Sequence, residues 1–505
     1  MERDTITATI RDKNTPWDVI VIGGGATGVG CAVDAATRGY SVLLLEQHDF
    51  GKGTSSRSTK LVHGGVRYLR QGDIPLVREA LRERGILLRN APNVVKEQAF
   101  IVPCYSRWQK LFYGIGLKAY GILSGKYALP RSRIVSRAEA LQISPTFVSK
   151  GLVGGVVYFD GRFDDTRLLV DLVKTAASHG ACLLNYAIVT GITKDRSGRA
   201  TGVSFIDVET GEKMTARSRS VVNATGVFTD PVRKMSDPSA VPLIKFAQGV
   251  HLVIDRRFLP AETAIMIPKT SDGRVLFCIP WQGYTLVGTT DTPIDSATLE
   301  PKALASEIDF LLETAAKYLT SAPGRADVRS VFAGVRPLIS SGSDDRTSSI
   351  SRSHDIFIDA AGLVTITGGK WTTYRRMAED AIDNAAKVGG LDVQPSVTES
   401  VTIDHEERSG NGRQLHQEID LTEDDVIRSV RSEMARTVED VLARRSRALF
   451  LNATAAIEIA PLVAEILALE LQKDDDWVKR QIDEFSTLAR DYLIPLGDGL
   501  DSDAD

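Results

Sequence analysis

The chain has 505 residues, 43% of them hydrophobic and 25% charged. That is the mixture of a soluble protein of roughly three domains and excludes a disordered, collagen-like or disulfide-stapled chain. A formal net charge of −4 and an isoelectric point near 6.1 exclude a nucleic-acid binder held by overall charge. The four cysteines, at 31, 104, 182 and 278, stand far apart with no Cys/His cluster, so no metal site is expected and a reducing compartment is. Met1 to Pro16 are polar and lack the apolar stretch of a secretory signal. No run of about 18 apolar residues occurs, so membrane contact is expected only at the surface.

In chain order, Asp18–Ile22 reads as a buried parallel strand. Gly23-x-Gly25-x-x-Gly28 follows, then a helical run from Val29 to Arg38 that Gly39 stops. Ser41 to Leu45 reads as a second strand ending at Glu46, which completes a βαβ unit. Gly23 permits the tight turn, Gly25 lets a pyrophosphate approach the backbone, and Gly28 lets helix and strand touch. The free N–H groups of the helix face the phosphates. Glu46, 18 residues past Gly28, is placed to accept from ribose hydroxyls and to repel a 2′-phosphate.

Four later features favour FAD over NAD. No second glycine fingerprint follows a strand, which disfavours an enzyme that takes electrons from NADH. Thr54, Ser55, Ser58 and Thr59, followed by Leu61, form a hydroxyl cluster suited to a ribityl chain and a second phosphate. The strand run 221–226, with Ala224 and Gly226, resembles the Ala-Thr-Gly strand that closes over the adenosine side of such flavoproteins. Gly368 and Gly369 precede a helix predicted to begin near Thr372, aiming N–H groups and a positive dipole end at the N1/O2 side of a flavin.

A helix is predicted over Ile74–Leu88, and strands over Gly154–Phe159, Ser220–Asn223, Gly249–Ile254, Val275–Ile279 and Thr285–Val287, with two more between Asp355 and Lys370. Residues 98–138 hold seven basic side chains and no acidic one around an apolar, aromatic middle at 111–123. The stretch 107–133 is therefore expected to lie on a membrane surface, rings buried and cations at anionic headgroups. The competing reading is a helix packed on the core or at a homodimer contact. From about 421 the pattern is helical. Residues 472–505 hold ten acidic and four basic side chains, so the tip reads as a solvated acidic tail. Arg57, Arg70 and Arg78 read as solvated charges.

Several long segments resemble the FAD-dependent glycerol-3-phosphate dehydrogenases of bacteria and mitochondria. They are residues 22–30, 53–69, 222–230, 279–293, 332–338, 349–356 and 368–380, within a similarity running from Trp17 to about Leu493. The resemblance implies an α/β fold: a Rossmann-like FAD-binding domain of D-amino-acid-oxidase-like architecture (17–90, 150–235 and 330–390). A mixed-sheet substrate domain (91–149 and 236–329) is inserted in it, and a helical domain (395–505) follows. It implies oxidation of sn-glycerol 3-phosphate to dihydroxyacetone phosphate, with hydride leaving C2 for flavin N5 and electrons passing to a membrane quinone. The protein is then expected in the cytoplasm, peripheral on the inner face of the cytoplasmic membrane. Neither a calcium loop nor a cysteine-rich tail is present.

A phosphorylated substrate calls for arginine or lysine. By resemblance Arg67, Tyr68, Arg336, Arg352 and Lys370 line its pocket. Arg336 also stands directly before Pro337, which holds its backbone extended. The proton acceptor is expected to be His251, with His63 the second candidate and arginine–lysine stabilisation of an alkoxide the third. Two rival activities remain open at the level of sequence. One is an oxygen-reducing glycerol-3-phosphate oxidase; the other is a dehydrogenase of another polyol phosphate, such as erythritol phosphate.

Overall fold

The apolar runs that open the chain become neighbouring parallel strands, Trp17–Ile22 and Val42–Leu45, in register from Val19↔Val42 to Ile22↔Leu45. The computed structural model describes residues 2–494 except 271–272, 340–353, 409 and 411, and the side chains of Arg67, Arg70 and Gln71. The first sheet runs in the order 354–358, 363–368, 213–223, 17–22, 42–45, 182–184. Asn223 pairs with Ile22 on one side and Thr365 on the other. The carboxyl ends of four strands therefore stop along one edge, where open α/β sheets bind ligands.

Both faces of this sheet are covered, which is why its strands read as unbroken apolar runs. Val19, Val21, Val42, Leu44, Val222 and Ile366 meet the helices Ala26–Thr37, Asp165–Ser178 and Tyr374–Gly389. Ile20, Ile22, Leu43, Leu45, Val221 and Leu363 meet a small antiparallel meander, Ala187–Lys194 and Ala200–Asp207, and Val232 of the helix Thr229–Ser236.

The second sheet has ten strands and is mostly antiparallel. Its longest ladder joins Ile244–Asp255 to Val328–Ile339, from Ile244↔Ile339 to Ile254↔Val328. Gly154–Phe163 also lies in this sheet, paired along Val95–Cys104. Residues 154–163 and 330–339, which the resemblance puts with the FAD-binding segments, lie in the second sheet. A strand's partner fifty or more residues away leaves no local trace. One face of this sheet packs on the helix Ala305–Ala316. The other packs on the C-terminal helices, including Glu423–Arg431, Ala453–Leu471 and Asp475–Arg490.

Residues 475–490 are a packed helix that buries Phe485 and Ala489, within the region whose pattern is helical. Its acidic start has a helical cause: Asp474 accepts from the Trp477 N–H, and Asp475 and Asp476 favour the positive dipole end. The tip expected to be a solvated tail, residues 495–505, lies outside the described residues. The polar start contains the helix Arg3–Asp12, which buries Arg3, Thr7 and Ile10 on one face. Arg3 donates to Asn185 and pairs with Asp207.

A buried charge cluster fastens the C-terminal helices to the loop after Val42–Leu45. A π-helical turn, Asp440–Arg445, aims Arg444 and Arg445 at Asp49, with Arg445 Nη1 2.8 Å from Oδ2. Lys52 of the same loop meets Glu439 at 2.8 Å. Burial alone would raise the Asp49 carboxyl, but Arg445 and Arg444 outweigh it and hold it down at about 2. Arg445→Met leaves Asp49 with Arg444 alone, so it should lower unfolding stability at neutral pH, by less than the roughly 3–5 kcal/mol of a buried charge stripped of its only partner. A carboxyl depressed from about 3.9 in the unfolded chain contributes stability above that pH and loses it as pH falls toward 2. The gap between parent and variant in denaturant titrations should therefore shrink between about pH 4 and pH 2.

Candidate active site

At the carboxyl edge of the first sheet a cavity of about 480 Å³ runs from the glycine turn to the loop before Tyr374. Gly23 sits at φ +109°, where a side chain is strained, and a Cβ at Gly28 would lie 1.9 Å from the Gly23 carbonyl oxygen. These two glycines build the turn. Gly25 differs: a Cβ there would meet only the Ser55 hydroxyl, at 3.1 Å. Its freedom matters toward the cavity, as a close-approaching pyrophosphate requires. Glu46 accepts from the Gly24 N–H at 2.6 Å and the His48 N–H at 2.9 Å. Burial pushes its carboxyl up, and these two N–H groups oppose the rise. The loop that would hold a ribose is thus fixed through Glu46 itself.

The hydroxyl cluster lines this cavity, but its hydroxyls are engaged by the protein. Thr54 donates to the Val335 carbonyl at 2.6 Å, and Ser58 to Asp165 at 2.7 Å. Ser55 accepts the Ala26 N–H at 2.9 Å, and Thr59 Oγ1 lies 2.9 Å from His251 Nε2. Their first role is to fix residues 54–59 against both sheets. Arg57 is not a solvated charge: it is 5% exposed and pairs with Glu300 at 2.7 Å. Ala224 lies over the glycine turn, its carbonyl 2.7 Å from a Gly23 Cβ, and Gly226 follows at φ +57°. Gly369 leads into the turn Trp371–Thr373 and the helix from Tyr374. Thr372 Oγ1 accepts from the His63 N–H at 3.1 Å, which ties the two loops together. Leu61 stands beside them in a two-residue strand.

A second cavity of about 510 Å³ adjoins the first, and Thr59, Leu61, His63, Tyr68 and Arg336 line both. Arg336 reaches Asp291 at 3.1 Å and Thr289 Oγ1 at 3.2 Å. It crosses Gly249 so closely that a Cβ there would lie 2.3 Å from its nitrogen. Lys370 Nζ sits 4.1 Å from the centre of the Tyr68 ring, a cation–π contact. His251 is buried and stacks on Phe332, ring centres 5.0 Å apart. Burial first, then the charges of Lys60 and Arg336, hold its imidazole well below its ordinary pKa, so the ring is neutral.

The structure brings Tyr68, His63, His251, Arg336 and Lys370 to one wall. Arg67 lies on the helix Val66–Gln71, its side chain outside the described residues, as is the whole of Arg352. The sequence reading gave no role to Thr289 and Asp291, which hold Arg336. Their signal was the polar run 289–292 directly after an apolar strand.

A glycine turn at a switch of sheet order, an acid after the second strand and a cationic wall beside the cleft define a dinucleotide-dependent oxidoreductase. The family described as FAD dependent oxidoreductase matches residues 18–375, and the C-terminal domain of alpha-glycerophosphate oxidase matches residues 395–478. The mitochondrial glycerol-3-phosphate dehydrogenase of Mus musculus is 38% identical, over 96% of this chain and 74% of that protein. That of Arabidopsis thaliana is 38% identical, over 97% of this chain and 88% of that protein. The structure of the glycerol-3-phosphate dehydrogenase from Bacillus halodurans, complexed with FAD, aligns at a TM-score of 0.78 with 28% identity and covers 98% of each chain. The chain belongs to the FAD-dependent glycerol-3-phosphate dehydrogenases.

Its cofactor is FAD, and the cleft fits that group: open backbone at Gly25, an acid at the second strand end and a helix N-terminus at Trp371–Tyr374. Gly25→Val should drop flavin content at least about tenfold while the far-ultraviolet dichroism and cooperative melting of the apoprotein stay those of the parent. A purified variant with a full complement of flavin is the contrary outcome.

Proposed function

We propose that this chain oxidises sn-glycerol 3-phosphate to dihydroxyacetone phosphate and delivers the electrons to a lipid-soluble quinone, working from the inner face of the cytoplasmic membrane. The observation that carries the substrate is the first cavity, which Arg336, Lys370, Tyr68 and His251 line together. Arg336, held by Asp291, Thr289 and the Thr290 carbonyl, places a guanidinium charge where a phosphate dianion calls for one. Lys370 adds a second charge beside the turn at 371–373, and Arg67 and Arg352 join them by resemblance. FAD, when bound, supplies the hydride acceptor. His251, neutral and stacked on Phe332, takes the hydroxyl proton at Nε2 by way of the Thr59 hydroxyl bonded there, which passes its own proton on as it receives the substrate's. His63 is the less favoured acceptor, because its backbone N–H is what anchors it to Thr372.

The quinone reading rests on the second cavity. It extends from Thr59, His63 and Arg336 between Leu61, Phe100, Tyr158, Met266 and Phe277 to Phe112, Tyr113 and Gly116. The last three lie on the helix Arg107–Leu123. The outer face of that helix bears Trp108, Leu111, Phe112, Ile115 and Ile122, of which Ile122 is 80% exposed. Arg107, Lys118 and Lys126 are exposed nearby. Leu117 and Tyr120, read from sequence as part of the apolar stretch, are buried, and Tyr120 donates to Asp160 at 2.7 Å. The helix is thus anchored on one side and apolar on the other, the pattern of an interfacial helix. Among the described residues no helix is long and apolar enough to cross a membrane.

Arg336→Met should cost about two to four decades in kcat/KM for glycerol 3-phosphate, with flavin content unchanged; parental kinetics would remove Arg336 from the site. Trp108, Ile115 and Ile122, all changed to Ser, should release the protein from anionic liposomes. Activity with a water-soluble dye should survive and activity with a long-chain quinone should fall. Hydrogen peroxide formed in step with turnover would instead assign oxygen as the acceptor.

A further inference from the structure

Behind the wall that carries Thr59 lies a closed compartment that the chemistry above does not use. Lys60 is 1% exposed. Its Nζ donates to Asp165 Oδ2 at 2.6 Å and to the Ser56 carbonyl at 2.8 Å. Arg447 enters from the C-terminal helices, with Nη2 2.8 Å from the same carbonyl and 3.4 Å from Asp165 Oδ1. Trp281, Phe332 and Phe450 wall the compartment, their ring centres 5.2, 5.2 and 5.6 Å from Lys60 Nζ. Two cations thus face one buried carboxylate, an excess of one positive charge in a dry, aromatic space. Lys60 is held there with φ at +61°, a backbone conformation that side chains rarely adopt.

Two routes lead from this charge to His251. Phe332 is common to both: it stacks on the imidazole and borders the ammonium group. Thr59, next to Lys60 in the chain, has its hydroxyl 2.9 Å from His251 Nε2. The charged groups acting on His251 are Lys60 and Arg336, both cationic. Those acting on Lys60 are Arg447, against its charge, and Asp165 and Asp164, in favour of it.

We propose that Lys60 is a positioning residue for the proton acceptor: its ammonium group, pinned by Asp165, keeps His251 unprotonated and keeps Thr59 facing it. The proposal rests on His251 being the proton acceptor. Burial first and Arg447 second bring the Lys60 ammonium down to about 7, with Asp165 opposing. The charge is therefore present below that pH, where protonation of His251 would stop catalysis. It fades above, where His251 is neutral without help.

The test is the pH dependence of flavin bleaching by glycerol 3-phosphate, followed from about pH 8 down to the lowest pH at which the enzyme keeps its flavin. His251→Asn should abolish the acid limb of the parent profile; if the limb survives, the proton-acceptor reading fails whatever Lys60 does. With that limb assigned, Lys60→Met should move it upward by about one pH unit at parental KM and flavin content. Lys60→Arg, which keeps the charge, should restore its position. A Lys60→Met limb at the parental pH, or a kcat reduced equally at every pH, overturns the proposal. If Lys60→Met does not retain flavin, Lys60→Arg decides alone. Its charge does not fade, so above about pH 7 it keeps His251 a weaker base than in the parent, and its kcat relative to the parent should fall there; a ratio constant with pH overturns the proposal.

Discussion

The site depends on one ladder, the antiparallel pairing of Ile244–Asp255 with Val328–Ile339. It pairs Ala247 with Arg336, Gly249 with Gly334 and His251 with Phe332. Arg336 can cross the neighbouring strand only because Gly249 has no side chain there, and Arg57 fits against Gly334 for the same reason. A slip of one residue would turn Arg336 and His251 to the opposite face of the sheet. The apolar residues of both strands hold the register, since Val250, Leu252, Val331 and Ala333 belong to one buried cluster and Val253 and Phe332 to another. Packing on both faces of the second sheet is thus what aligns the polar wall with the cleft of the first.

What was legible in the sequence was local. The glycine turn, Glu46 and the two strands around them stand where their spacing put them, because strand, turn and helix each depend on a few consecutive residues. The hydroxyls of residues 54–59 were legible as a cluster but not in their use. Their partners Val335, Asp165 and His251 lie more than a hundred residues away. Arg57 was misread for the same reason, and Lys60 drew no reading at all. A cation in a polar loop reads as solvated until the carboxylate that accompanies it into the core is known, and Glu300 and Asp165 are distant.

The helix Arg107–Leu123 shows how composition and geometry divide the work. Its apolar content signalled a special surface. Only packing separates Leu117 and Tyr120, which turn inward, from Trp108, Ile115 and Ile122, which turn out. Both sides of this helix carry apolar residues, so the pattern alone could not say which side turns inward.

The charged fastening of the C-terminal helices has a consequence for how this architecture can change. Residues 433–450 supply both arginines of Asp49, Arg447 beside Asp165, and Phe450, which touches Phe332. A descendant that lost this region would keep the first sheet and the cleft. It would also inherit a naked carboxylate at 49, an exposed aromatic face on the second sheet and a lysine at 60 without half of its enclosure. Shortening the chain is therefore not a neutral step. Uncharged residues at 49 and 60 and a polar one at 332 would have to come first, and the last of these alters the ring against which His251 is set.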